Sequence, residues 1–354
     1  MSRFMSRRFD DLETYVPGEQ PRDMPYIKLN TNESPFPPAP AVFAAVNEEE
    51  VSRLNLYPDP EGLLLRQKLS RLYNVGVENI FLANGSDELL NFFFMAFCDA
   101  DRPVAFPDIS YGFYPVYAGL YNLPYTQVPL REDFRLRYED YCGIDSSVVI
   151  ANPNAPTGRA ISPEEIEEIV RTNPRHVVLI DEAYIDFGGE SCLPLIHRYS
   201  NLLVCQTFSK FRSLAGGRLG YAMGHPELIA DLNKIKYSTN SYNINRLTLT
   251  AAAAAIDSND YYVQNSRVIQ ENRAYTVAAL ERLGFKTVPS LANFIFTRCP
   301  AIPGGTLYEK LRAKGVLVRH WTKPAIADYL RVTIGSREQM DAFIERTAEI
   351  LRGE

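Results

Sequence analysis

Residues 207–222 read TFSKFRSLAGGRLGYA, and Lys210 stands directly after the apolar run LLVCQTFS. A second cation, Arg218, follows behind the glycine pair Gly216 and Gly217. Lysine is rarely buried unless it is paired or neutralised. A buried lysine with a depressed pKa is also a good amine nucleophile. The plain alternative is a strand-end lysine with its ammonium in solvent, so the rest of the chain has to decide. Other apolar runs end in polar residues too. NIFLA runs into NGSDE (84–88), where Gly85 permits close backbone approach and Ser86 is the expected N-cap of a helix. Free N–H groups at such a helix start suit an anion such as phosphate. SVVIAN runs into ANPNAPTG (151–158), a tight turn in which Asn152 and Asn154 offer amide donors. HVVLID ends in DEAYIDF, so Asp181 and Tyr184 emerge at a strand end. A buried carboxylate there needs a cationic partner.

These points are useful only if the strands lie side by side. Seven short runs read as strands: 79–83, 103–106, 125–130, 147–152, 176–181, 202–208 and 219–223. Several are unbroken β-branched and aliphatic runs, as expected of a sheet covered on both faces. Helical stretches fall between them. SPEEIEEIV carries Ser162, Pro163 and Glu165 in capping-box spacing. The alternation predicts an α/β fold with a mostly parallel seven-stranded sheet, whose ligands gather at the carboxyl ends of the strands. Residues 242–283 then read as helical with one break near IDSND. NFIFTR, TLYEKLRAKG, VLVRH, YLRVTI and REQMDAFIERTAEILRG complete a smaller α+β domain. The proline-rich first forty residues predict an irregular arm. The expected division is an arm joining the small domain (1–45), a large domain (46–245) and a small domain (246–354).

Composition narrows the function. The chain has 354 residues, 46% hydrophobic and 23% charged, with net charge −6. That balance argues against nucleic acid or an anionic membrane as partner. The longest nearly apolar run, LLNFFFMAF (89–97), is too short to span a bilayer and suits a buried helix. The N-terminal MSRFMSRRFDDL has no apolar core of a secretory signal. Five scattered cysteines without a CxxC pair argue for a reducing cytoplasm. Four histidines without HExxH, and no phosphate-binding GxxxxGK[ST] loop, leave metal and nucleotide chemistry without a motif.

Acid, turn and lysine at successive strand ends are what pyridoxal phosphate asks for. It needs an amine to form an imine, an acid to keep its ring nitrogen protonated, donors to its phenolic oxygen and a phosphate cup. At these residues the sequence resembles pyridoxal-phosphate enzymes of the aspartate-aminotransferase fold (fold type I). Within them it is similar to the histidinol-phosphate aminotransferases. The shared motifs are LNTNESPFPP (29–38), LYPDPEG (56–62), NGSDELL (84–90), PDISYGFY (107–114), NPNAPTG (152–158), DEAYIDF (181–187), TFSKFRSLAGGRLGYA (207–222) and YLRVTIG (329–335).

The resemblance implies roles. Lys210 is the imine-forming lysine, Asp181 pairs with the pyridinium nitrogen, Tyr184 donates to the phenolic oxygen and Tyr111 stacks on the ring. Gly85, Ser86, Asp87, Thr207, Ser209 and Arg218 match the phosphate cup, with Asp87 expected to cap its helix. Tyr57 matches a tyrosine that reaches the phosphate from a neighbouring subunit, which implies a homodimer with shared sites. Arg331 matches the clamp on the substrate α-carboxylate, a bidentate task suited to guanidinium. Arg319 and Tyr15 match groups near the substrate phosphate, and Asn32 a further substrate-binding group. The expected reaction exchanges an amino group between L-histidinol phosphate and 2-oxoglutarate, giving imidazole-acetol phosphate and L-glutamate, in histidine biosynthesis. An aromatic aminotransferase or a threonine-phosphate decarboxylase-like enzyme is the alternative on the same cofactor. A cofactor-binding regulator would carry a DNA-binding module, for which the proline-rich arm has no room. One position departs from the family: Ala155 stands where asparagine usually precedes PTG. The donor to the phenolic oxygen is then missing or comes from Asn154 or Asn152, with Asn154 the expectation.

Overall fold

The computed structural model describes residues 3–10 and 12–353. A two-residue strand in the arm, β1 (Ile27–Lys28), comes first. Next are β2 (Ile80–Ala83), β3 (Val104–Pro107), β4 (Tyr125–Val128) and β5 (Ser147–Ala151). They are followed by β6 (Val178–Asp181), β7 (Leu202–Thr207) and β8 (Gly220–Gly224). The C-terminal part adds β9 (Lys286–Val288), β10 (Phe294–Arg298), β11 (Val316–Leu317), β12 (Arg319–His320) and β13 (Leu330–Thr333).

All seven strands read from the sequence pair in one sheet, in the order β2-β8-β7-β6-β5-β3-β4. Every pairing is parallel except those of β8, which runs antiparallel to both β7 and β2. The period of two along each strand sorts the side chains. In β6, Val178 and Ile180 face one core, while Leu179 faces the other. Asp181 therefore leaves the strand on the Leu179 side, above the helices Gly85–Phe97 and Phe113–Leu120. The first of these buries Phe92, Phe93, Phe94 and Phe97, so the aromatic run is core.

Local signals are mostly obeyed. Ser162 Oγ accepts from the Glu165 N–H and Glu165 Oε2 from the Ser162 N–H, which starts the helix Pro163–Thr172. The expected helical break falls at Ser258, between Arg246–Asp257 and Asn259–Arg282. The cap expected at Ser86 is not there. The helix begins at Gly85, Asn84 holds the cap position, and Glu88 Oε2 accepts the Asn84 N–H at 2.6 Å. Ser86 lies inside the first turn, where its own N–H is still free of an intrahelical partner.

The stretch VLVRH divides between two sheets. Its first half, β11, pairs in parallel with β1 of the arm. Its second half, β12, joins β13, β10 and β9 in a four-stranded antiparallel sheet. The arm is thus sewn to the C-terminal part of the chain, and both come to lie opposite the strand ends of the large sheet.

Candidate active site

A cavity of about 270 Å³ opens between these two parts. The carboxyl ends of β5, β6 and β7 form its floor, and it sits where the strand order reverses between β3 and β5. That is the site at which ligands of open α/β sheets collect.

Lys210 extends from the end of β7 into this cavity, and its Nζ donates to the Thr31 carbonyl at 3.0 Å. Burial pulls its pKa down to about 8, and the positive charge of Arg331 pushes the same way. Asp181 is 5% exposed, and burial pushes its pKa up to about 6. Its two oxygens accept from the Ala183 N–H at 3.1 Å and the Tyr114 hydroxyl at 3.2 Å. Neither partner is a cation, so the carboxylate has room for a positively charged N–H. Tyr184 packs edge-on against Phe294 and accepts from Asn32 Nδ2 at 2.9 Å. Its own hydroxyl proton is left to donate inward. Asn32 adopts a left-handed backbone, φ 57°, a conformation that asparagine tolerates better than most residues.

The start of helix Gly85–Phe97 makes one end of the cavity. Gly85 has φ +80°, and a Cβ there would stand 2.7 Å from Arg218 Nη2. A Cβ on Gly220 would meet the Ser86 nitrogen at 2.5 Å, so only glycine lets β8 approach this turn. Ser209 and Thr207 face the same end. Thr207 Oγ1 accepts the Ser209 N–H at 3.1 Å and donates to the Leu219 carbonyl. Asp87 does not cap the helix. Its carboxylate takes Arg218 Nη2 at 2.7 Å and the Tyr111 hydroxyl at 2.6 Å, which fixes both groups at the cavity edge.

Arg331 and Arg319 enter from the small sheet. Arg331 Nη2 donates to the Asn30 carbonyl at 2.8 Å, and its Nε has no hydrogen-bond partner among the described residues. Arg319 donates to the Val16 and Pro17 carbonyls at 2.8 and 3.1 Å. The arm continues over the cavity through Tyr15, whose ring stacks on Phe113 at 4.2 Å.

Three expected residues do not line this chain's cavity: Gly85, which packs against Arg218 at its edge, Asn154 and Tyr57. Asn154 points elsewhere. Its Nδ2 donates to the Ile109 carbonyl and to Thr157 Oγ1, and its Oδ1 accepts from Ser110. Asn152 is equally committed, to both backbone groups of Ile161. Asn154 is thus bonded to Thr157 of its own turn and to Ile109 and Ser110 of a neighbouring loop, and Asn152 to Ile161. Tyr57 lies on the outer surface, 77% exposed, with its ring stacked on Tyr242 at 4.5 Å.

The aminotransferase class I and II family model matches residues 24–346. The chain belongs to this family. A histidinol-phosphate aminotransferase of Dechloromonas aromatica is 46% identical over 354 residues, covering 99% of each chain. One of Brachyspira hyodysenteriae is 47% identical over 353 residues, covering 99% of this chain and all of that one. The histidinol-phosphate aminotransferase of Sinorhizobium meliloti, solved with pyridoxal-5'-phosphate, superposes with TM-score 0.83 at 24% identity. That match covers 92% of this chain and 91% of that one, and it shows the shared fold.

Sequence reasoning missed several residues of this aminotransferase cavity. Tyr114, which lies beneath the lining and holds Asp181, sits three residues beyond Tyr111 in the same motif. Trp321 lines the cavity beside the two arginines. Its only signal was being the single tryptophan of the chain. Asn30 and Thr31 act through backbone carbonyls, which no residue type announces.

Proposed function

We propose that the protein is a pyridoxal-phosphate-dependent aminotransferase that exchanges an amino group between L-histidinol phosphate and 2-oxoglutarate. The observation that carries this is one cavity holding a neutralisable lysine, a buried acid without a cation and two arginines without an acid. The full-length relatives of that name support the substrate. The cavity suits the cofactor on grounds of its own. Asp181 lacks a positive partner, and the helix start at Gly85 and Ser86, with Ser209 and Arg218, forms a cradle a phosphate would fill.

When bound, pyridoxal phosphate supplies a carbonyl carbon that condenses with amines and a ring that withdraws electrons from the substrate Cα. The protein's residues then divide the work. Lys210 with its lowered pKa presents a neutral amine near pH 8, and its Nζ takes the proton from the substrate Cα. Asp181 holds a proton on the ring nitrogen through a charge-assisted bond. Tyr184 donates to the phenolic oxygen unaided by Asn154, with its hydroxyl oriented by Asn32. Ser209, Arg218 and the first-turn N–H groups anchor the phosphate. Arg331 aligns the substrate anion, and Tyr15 with the arm covers the cavity against water.

Two measurements test this. Borohydride reduction of the loaded protein should fix the cofactor on Lys210, and a label on another lysine overturns the assignment. Across histidinol phosphate, aromatic amino acids and threonine phosphate, kcat/KM should be highest for histidinol phosphate. A preference for an aromatic amino acid, or release of carbon dioxide from threonine phosphate, overturns the substrate.

Tyr57 is assigned to the cavity of a second copy of the chain. Its exposure, beside exposed Leu54, Leu56 and Leu64, supports a homodimer surface here. Inactive Lys210→Ala and Tyr57→Ala proteins, mixed until subunits exchange, should regain part of the activity through one intact hybrid site. No recovery despite proven exchange counts against shared sites. We keep the arm, large and small domains at 1–45, 46–245 and 246–354. The helix Arg246–Asp257 packs against Pro40–Ala45 and Leu63–Tyr73, so it would bridge the units. A reducing cytoplasm is the proposed setting, supported by five free cysteines. Full alkylation of all five in freshly isolated, unreduced protein would bear this out, and a blocked pair would not.

A further inference from the structure

Strands β12 and β13 pose an electrostatic problem. In their antiparallel register Arg319 lies directly opposite Arg331. Like charges in such a pair repel. Neither guanidinium forms an ion pair among the described residues. Each is held by carbonyl oxygens instead, Arg331 by Asn30 and Arg319 by Val16 and Pro17. One further group touches both. The Trp321 ring lies 5.5 Å from Arg319 Cζ and 5.4 Å from Arg331 Cζ. The negative face of an indole attracts a guanidinium, and tryptophan does so best among the aromatic residues. The ring itself is held edge-on by Phe296, its centroid 6.4 Å away.

We propose that Trp321 is a positioning residue that holds Arg319 and Arg331 as two separate anion sites, so that the cavity grips a dicarboxylate such as 2-oxoglutarate at both ends. This rests on the aminotransferase reading above. Arg331 keeps its place through Asn30 whether or not the indole is present. Among the described residues, Arg319 is anchored to the arm and to Trp321. Removal of the indole exposes Arg319 to the repulsion of Arg331 and frees it toward solvent. The second anion site is lost while the first remains. An exchange with 2-oxoglutarate needs both sites, because that substrate has a carboxylate at each end.

A matched pair of ligands reads this out. Glutarate and pentanoate have the same five-carbon chain and differ by one carboxylate. Each is titrated into the cofactor-loaded enzyme while the cofactor absorbance is followed. Trp321→Leu should weaken glutarate about tenfold and leave pentanoate within about twofold. Trp321→Phe should keep glutarate within about threefold of wild type. In an Arg319→Gln background, Trp321→Leu should add less than about twofold, because the cation it positions is gone. Because Trp321 is the single tryptophan, wild-type fluorescence should change more with saturating glutarate than with saturating pentanoate, a test independent of any variant's folding. Equal weakening of both ligands, no weakening of either, full additivity with Arg319→Gln, or equal fluorescence responses would each overturn the proposal. Failure of the aminotransferase reading shows separately, as absence of amino transfer from histidinol phosphate by the wild type. That result leaves the glutarate–pentanoate contrast standing.

Discussion

The two walls of the cavity balance their charges in different ways. On the large-sheet side, Arg218 is paired with Asp87 at 2.7 Å, and Lys210 is drawn toward neutrality by burial. Asp181 is drawn toward neutrality in the opposite sense. On the small-sheet side, two arginines stand opposite each other with carbonyls and an indole in place of acids. The difference follows from what each wall would hold. A resident cofactor can be met by a fixed, nearly neutral frame that costs little when empty. A substrate that enters and leaves needs an unspent attraction, and uncompensated guanidiniums provide it because arginine stays charged even when buried.

The comparison breaks most readily at Lys210. Lys210→Ala should lower kcat by about 10³-fold or more, with the borohydride label lost and the fold intact. A variant that retains activity would move the chemistry off the large-sheet wall. Arg331→Ala should lower kcat/KM by about 10²-fold, since truncating one partner of a buried charge pair costs about 2–5 kcal/mol. It should also raise the pKa of Lys210, because Arg331 helps depress it. A pH–rate profile that does not move upward would show that the walls are not coupled.

Asn154→Ala separates frame from chemistry. Its amide makes one hydrogen bond within the turn, to Thr157, and two to Ile109 and Ser110 of a neighbouring loop. The expected outcome is a stability loss of about 1–3 kcal/mol with an unchanged cofactor spectrum. A shifted spectrum would return Asn154 to the site. The smallest effect is electrostatic. The folded-state pKa of Lys210 is about 8, below its ordinary 10.5. Its burial therefore leaves stability intact above pH 10.5 and removes it as pH falls through 8. In cofactor-free protein at pH 7, Lys210→Met should be more stable than wild type by about 1 kcal/mol or more. The gap should close by pH 10.5, and a gap that stays constant with pH would show that the ammonium is not the cause.

The sequence by itself determined the seven strands of the large sheet, the helices between them and the order in which Asp181, Tyr184 and Lys210 reach the strand ends. These are local properties. An unbroken run such as LLVCQT is buried on both faces wherever it lies, and a polar residue at its end must emerge at the rim. Only the tertiary structure decided the rest, because each remaining feature depends on a partner far along the chain. Nothing in GYAMG says that β8 runs against its neighbours. VLVRH divides at Val318 because its two halves meet strands from opposite ends of the sequence. Asn154 looks like a donor to the cavity until Ile109 and Ser110 arrive from another loop and take its amide. Arg319 and Arg331 read as two separate cations until antiparallel pairing sets them face to face, with Trp321 beside both. Residue type fixes what a side chain can do, and packing against distant strands fixes which way it points.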